Sequence, residues 1–245
     1  LFVRFPCDEV YALHNWPALP AGHIGLNPGP MMAAADRIEI TISGRGGHAA
    51  HPHLTVDPVL IAGHIITAAQ SIVARNTAPI DAAVVSLCSL AAGNPGAFSV
   101  IPREAKLVGT VRAFQHSIQD MIERRLAELV QSTARAFGGE ATVAYQRIYP
   151  ATINHAPQYE HAAHVAEDLV GRERVTRNLQ PSMGAEDFAF MLQARPGCYA
   201  RLGQGGVDGG CWLHNSRYDF NDAVIPLGAG FLAALAERRM PVGDR

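Results

Sequence analysis

Residues 36–43, Asp-Arg-Ile-Glu-Ile-Thr-Ile-Ser, alternate polar and apolar, with isoleucine at the repeated apolar step. A period of two carried by β-branched residues predicts a strand with one buried face. A Gly- and His-rich run, residues 44–53, then breaks the alternation. From Val56 to about Arg75 the apolar positions Val59, Leu60, Ile61, Ile65, Ile66, Ala69, Ile72 and Val73 recur at helical spacing. Residues 81–91 predict a second strand, closed by the turn formers Gly93-Asn94-Pro95-Gly96, and a third runs from about Glu104 to Phe114. An amphipathic helix follows from about Ser117 to Phe137, with Ile118, Met121, Ile122, Leu126, Leu129 and Val130 on one face. Gly138-Gly139 stops it, and Ala141–Tyr149 predicts a fourth strand.

The order β-α-β-β-α-β is that of a ferredoxin-like α+β domain, placed at residues 32–148. Its flanks read as two pieces of a second, α/β domain, residues 1–31 and 149–245. The first piece offers a short strand around Val10–Leu13 and then turn-rich sequence. The second predicts helices over residues 158–170, Ala185–Ala194 and Ile225–Arg239, with a strand at Cys198–Leu202. One domain interrupted by another is tolerated when the ends of the inserted block lie close together.

Composition narrows the function classes. Of 245 residues 48% are hydrophobic and 17% charged, which is ordinary for a globular chain, and the formal net charge of −2 gives no footprint for nucleic acid or anionic membrane. No apolar run reaches the roughly 18 residues that cross a bilayer. The opening Leu1-Phe2-Val3-Arg4-Phe5-Pro6 does not have the pattern of a signal peptide. Cys7, Cys88, Cys198 and Cys211 form no C-x-x-C pair, so buried free thiols in a cytoplasmic protein are expected. The chain begins without methionine, as a fragment or a processed product would.

The candidate chemistry lies in a repeated phrase. Leu13-His14-Asn15 is echoed by Leu213-His214-Asn215, with Tyr218-Asp219-Phe220-Asn221-Asp222 close behind. Each histidine is either a loop residue bonded to backbone or a metal ligand whose tautomer a neighbouring amide fixes. The shared setting, read as a strand passing into a loop, favours the ligand. Glu186, Asp187, Asp219 and Asp222 are acids that can act as ligands or support them. His48 follows Gly46-Gly47, where backbone can approach a ligand closely. It reads as a hydrogen-bond donor to substrate or transition state, as one of three metal-binding histidines with His51 and His53, or as a surface turn residue. Arg112 can clamp a carboxylate through a bidentate pair or sit on an exposed strand face. Glu186 and Asp187 suit a helix N-terminus first and a functional carboxylate second.

The segments Ala12–Pro17, Gly44–Pro52, Val100–Pro102, Gly109–Arg112, Met183–Phe188 and Leu213–Asp222, in this order and spacing, resemble the aminoacylase/carboxypeptidase family of dinuclear metallohydrolases. The nearest branch is that of hippurate hydrolases, N-acyl-amino-acid amidohydrolases and plant indole-acetyl-amino-acid hydrolases. The resemblance implies a zinc-peptidase-like α/β metal domain, here N-terminally truncated, interrupted by a ferredoxin-like lid that dimerises. It implies His14 and His214 as metal ligands, His48 as a lid residue that contacts substrate or transition state in a neighbouring subunit, and Arg112 as a lid residue near the substrate carboxylate; Glu186 is taken beside it as a second substrate-binding candidate. Two divalent ions, zinc or manganese, and a small hippurate-like N-acyl amino acid as substrate are implied for the complete protein.

The branch also carries a Cys-Gly-His-Asp segment and a Glu-Glu pair that this sequence lacks, and usually Asn where Phe98-Ser99 stands. The chain is therefore expected to be the C-terminal two-thirds of an amidohydrolase, with little turnover by itself. The rival from another class is a non-catalytic dimerisation or binding module.

Overall fold

A computed structural model describes residues 1–206 and 212–240. In chain order the strands and helices are β1 (Val10–Trp16), β2 (Ile24–Gly25), β3 (Gly29–Met32), β4 (Ala34–Ser43), β5 (Gly47–His48), α1 (Pro58–Asn76), β6 (Ala83–Ala92), β7 (Val100–Ile101), β8 (Glu104–Ala113), α2 (His116–Ala136), β9 (Glu140–Tyr149), β10 (Thr152–Asn154), α3 (Ala156–Val170), β11 (Val175–Thr176), α4 (Phe188–Ala194), β12 (Gly197–Gly203) and α5 (Ile225–Arg239). They divide into two compact units, Ala33–Ala151 and the pair Leu1–Met32 with Thr152–Arg245.

The continuous unit follows a β-α-β-β-α-β path into an antiparallel sheet of order β6-β8-β4-β9. Alternation along β4 sends Ile38, Ile40 and Ile42 inward, where they meet Ile61, Ile65 and Ile72 of α1 and Ile122, Leu126 and Val130 of α2. Asp57 caps α1 by accepting from the Val59 and Leu60 amides at 2.8 and 3.4 Å, and Pro58 occupies the first turn, where no amide hydrogen is required. By length and composition α1 could cross a membrane, contrary to the sequence expectation. One face of it instead packs on the sheet as a core helix. Gly109 is set by close approach, since a Cβ there would lie 2.1 Å from the Ser86 carbonyl oxygen, beside a bulge between Leu87 and Ser89. A buried carboxylate, Asp36, accepts from Gln119 at 2.7 and 2.8 Å and from the Tyr145 hydroxyl at 2.5 Å, which ties β4, α2 and β9 together.

In the other unit β1 runs parallel to β12 over its whole length, β2 pairs antiparallel with β12, and β11 pairs parallel with β2. The expected end of the first strand at Leu13 is corrected: the ladder with β12 carries it through His14 to Trp16. The expected helix from Ala185 begins only at Phe188. Helices α3 and α5 cover one sheet face, with Leu26, Cys198, Leu202, Tyr159 and Phe231 at the core. The opposite face packs Val10 and Tyr199 against Met31, Met32, Phe188 and Leu192. The expectation of buried thiols holds at Cys198 alone among the described cysteines, since Cys7 is half-buried and Cys88 is exposed on β6. Cys211 lies outside the described residues. Burial raises the Cys198 thiol to about 12.

Candidate metal centre

Strand alternation sorts β1 by face: Tyr11 and Leu13 pack with the α3–α5 core, and Val10 and Ala12 pack with Tyr199 on the other side. His14 belongs to this second face. In the ladder it stands beside Arg201. Its Nδ1 lies 2.6 Å from the Asn15 carbonyl oxygen. A carbonyl can only accept, so Nδ1 carries the proton, and the tautomer that this selects has its lone pair on Nε2. That is the arrangement of a metal-ligating histidine, with one nitrogen tied to backbone and the other presented outward. The ring rests edge-on against Trp16 (centroids 6.0 Å, 67°) and tilted against Tyr199 (6.2 Å, 45°).

His214 lies elsewhere than on a strand end. It is exposed in a turn and adopts φ 66°, the only positive φ among the described non-glycine residues. A left-handed histidine is uncommon and strained, and such strain collects at functional sites. The Leu-His-Asn echo is thus one of sequence and not of structure: Leu13 is a strand residue packed on the core, whereas Leu213 sits in the turn. The two phrases are nonetheless joined through their neighbours. Trp16 meets Trp212 edge-on at 5.7 Å, and the Asn15 amide donates to the Tyr218 hydroxyl. That hydroxyl donates in turn to Gln204 Oε1 at 2.6 Å, and the Asn221 amide holds the Gln204 carbonyl at 2.9 Å.

Glu186 is half-buried just before α4, its Oε1 3.4 Å from the Phe188 amide. Asp187, Asp219 and Asp222 are exposed. Among the described residues no group of three or more His, Cys, Asp or Glu side chains is arranged to hold a metal ion. No carboxylate joins His14 and His214 in such a group among the described residues.

Two residues on the His14 face went unnoticed in the sequence. Tyr199 and Arg201 are each 1% exposed. The buried Tyr199 hydroxyl has the Arg201 guanidinium and the Glu186 carboxylate beside it, and burial with the Glu186 charge pushes its pKa up. Arg201 is a buried cation without a carboxylate partner among the described residues, and burial lowers its pKa. The available signal was one arginine in the run Gly-Cys-Tyr-Ala-Arg-Leu-Gly, all seven residues of which are buried.

In the continuous unit His48 has the opposite tautomer. Its Nδ1 accepts from the Ala50 amide at 3.1 Å, so the proton sits on Nε2 and the exposed ring presents a donor. Its neighbours His51 and His53 follow ring to ring at 5.7 and 6.0 Å. They form no metal group, so the three-histidine alternative is corrected. Arg112 is half-buried on β8, opposite Ala35 and Val84, with no hydrogen bond or ion pair among the described residues. His48 lies past the other end of the sheet, where Ser43 pairs with Glu104. The eight residue steps of β8 from Glu104 to Arg112 span about 26 Å at about 3.3 Å each.

The sequence profile of Peptidase family M20/M25/M40 matches residues 1–238. The chain belongs to this family. Within it, the hippurate hydrolase of Campylobacter jejuni is 34% identical over 236 residues, covering 96% of this chain and 60% of its own length. The N-acetylcysteine deacetylase of Bacillus subtilis is 33% identical over 229 residues, covering 94% and 58%. The chain thus spans about three-fifths of the length of these M20 relatives. The crystal structure of Bacillus subtilis YXEP protein, a dinuclear metal-binding peptidase of the M20 family, superposes with a TM-score of 0.79 at 28% identity, over 96% of this chain and 58% of that one.

Proposed function

We propose that the chain acts within a metal-dependent amidohydrolase that cleaves the amide bond of small, hippurate-like N-acyl amino acids. The observation that carries this reading is the contact of His14 Nδ1 with the Asn15 carbonyl, which leaves Nε2 for a metal on a strand joined through Asn15 and Trp16 to the turn bearing His214. His14 and His214 would hold two divalent ions, zinc or manganese, together with ligands outside the described residues. When bound, such ions polarise an acyl carbonyl and lower the pKa of a bound water. Substrate binding falls to Glu186 and to Arg112, whose guanidinium, without an ion pair among the described residues, suits a carboxylate.

The continuous unit is proposed as a ferredoxin-like lid that pairs two copies of the chain. Its edge strand β6 carries no charged residue from Ala83 to Ala92, and exposed charge is the usual protection of an edge. His48 and Arg112 stand at opposite ends of the sheet, so within one copy they are poorly placed to serve one substrate. His48 is accordingly assigned to the neighbouring copy, where its Nε2–H would donate to the carbonyl oxygen as charge develops there.

The test is metal content and hippurate hydrolysis of the natural protein. His14→Ala and His214→Ala should each lower bound metal and reduce turnover at least 100-fold, about 3 kcal/mol of transition-state stabilisation. Unchanged metal content in both variants refutes the assignment. A second reading, a non-catalytic dimerisation or binding module, draws on the lack of a complete ligand group among the described residues. A natural protein that dimerises but neither binds divalent metal nor hydrolyses N-acyl amino acids would establish it.

A further inference from the structure

Arg201 is among the largest fully buried side chains of the protein, and among the described residues it meets neutral groups, Tyr199 included. Its guanidinium lies 3.7 Å above the ring of Trp16. One terminal nitrogen donates to the Met31 carbonyl at 3.1 Å and lies 2.8 Å from Met32 Sδ, and the other reaches the Gln180 carbonyl at 3.4 Å. Its Nε has no hydrogen-bond partner among the described residues. A buried cation without an anion is costly, and an apolar side chain of similar volume usually serves stability as well or better. Stability therefore does not account for arginine at this place.

Its contacts do. A planar cation can stack on an indole with its face and donate within its own plane, which an ammonium group cannot do. Here the in-plane bonds pin the guanidinium to β3 and to the segment at Gln180, and the face fixes Trp16. Trp16 is in turn one of the two rings between which His14 lies, and Tyr199, two residues before Arg201, is the other.

We propose that Arg201 is a positioning residue for His14: stacked on Trp16, it fixes the wall against which the imidazole rests and so aims Nε2 at the metal. This inference rests on the reading of His14 as a ligand. The competing account, in which only the charge of Arg201 matters, predicts the opposite sign, because removing a nearby cation would tighten binding of a divalent ion.

The experiment measures the Zn²⁺ dissociation constant of the natural protein by titration calorimetry, alongside thermal unfolding of the metal-free form. Arg201→Leu should weaken Zn²⁺ binding about 10- to 100-fold, the usual effect of losing a support behind a ligand, while the unfolding temperature stays level or rises. Arg201→Lys should fail to restore affinity, because it keeps the charge and loses the plane. In a Trp16→Leu background Arg201→Leu should add no further loss, since Arg201 acts through that ring. Unchanged or tighter binding in Arg201→Leu overturns the proposal, and so does full affinity in Arg201→Lys or an additive loss in the double variant. Should Arg201→Leu fail to fold, Arg201→Lys decides alone. His14→Ala separates the two claims: if it leaves Zn²⁺ affinity intact, the ligand reading itself fails, whereas its loss together with a normal Arg201→Leu removes only the positioning role.

Discussion

Hydrogen-bond polarity gives otherwise similar histidines different capacities. The Asn15 carbonyl makes His14 a lone-pair donor through Nε2, and the Ala50 amide makes His48 a proton donor through the same atom. A third case, His161 on α3, has neither partner at its buried Nε2; its ring meets the Tyr11 ring edge-on at 6.1 Å, with the Leu235 backbone, Glu9, Arg238 and Arg239 nearby. Burial, reinforced by Arg239, holds its pKa below 6.5. The unfolded chain then binds the proton more readily, so stability should fall as pH drops below about 6.5 and level off once the folded form is protonated too. Glu9 adds a second fall below about 4.5. Burial raises its pKa, but hydrogen bonds from Gln158 and Tyr11 with the charge of Arg239 outweigh that and lower it. Urea unfolding from pH 8 to about 3 should show both steps in the parent chain, and His161→Leu should lose the upper one. An upper step that persists in the variant assigns it to another group.

At the scale of elements, long periodic segments were the most legible. The pattern places α5 at Ile225–Arg239 as observed, and the helices and strands of the continuous unit within a few residues, because each buries one continuous face. The two-residue strands β2, β5, β7 and β11 were not legible, since two residues carry no period and exist only through their partners. Charge distinguishes the outer surfaces. Along α2 and β9 ion pairs join Arg125 to Glu128 and Arg147 to Asp120 and Glu123, as expected of a solvated surface. Strand β6 has no such protection, and Leu90 on it is 47% exposed. Leu90→Lys should convert a dimer to a monomer in sedimentation velocity at micromolar concentration, with little change in thermal stability. A parent chain that is already monomeric there removes the edge-pairing proposal.

For the whole molecule, two units with separate cores imply separate cooperativity. Residues 33–151 expressed alone should unfold in a single transition by far-UV circular dichroism and tryptophan-independent fluorescence, because their core draws on no residue outside them. A broad, non-cooperative melt would show that the unit depends on the remainder of the chain. The sequence by itself determined the periodic elements, the β-α-β-β-α-β order and the family, since these rest on local spacing and on phrases that recur in fixed order. It also marked His14, His48 and His214, because histidine in a polar, turn-prone run stands out. Only the folded backbone decided which nitrogen the His14 and His48 rings present, since the neighbouring backbone group bonded to each fixes the tautomer. It also decided that β1 continues to Trp16, because strand length there is set by a parallel partner more than 180 residues away in the chain. The burial of Arg201 was decided the same way. Its neighbours Trp16, Met31 and Gln180 come from three separate stretches, and only the packed sheet turns a lone arginine in an apolar strand into the support of a histidine.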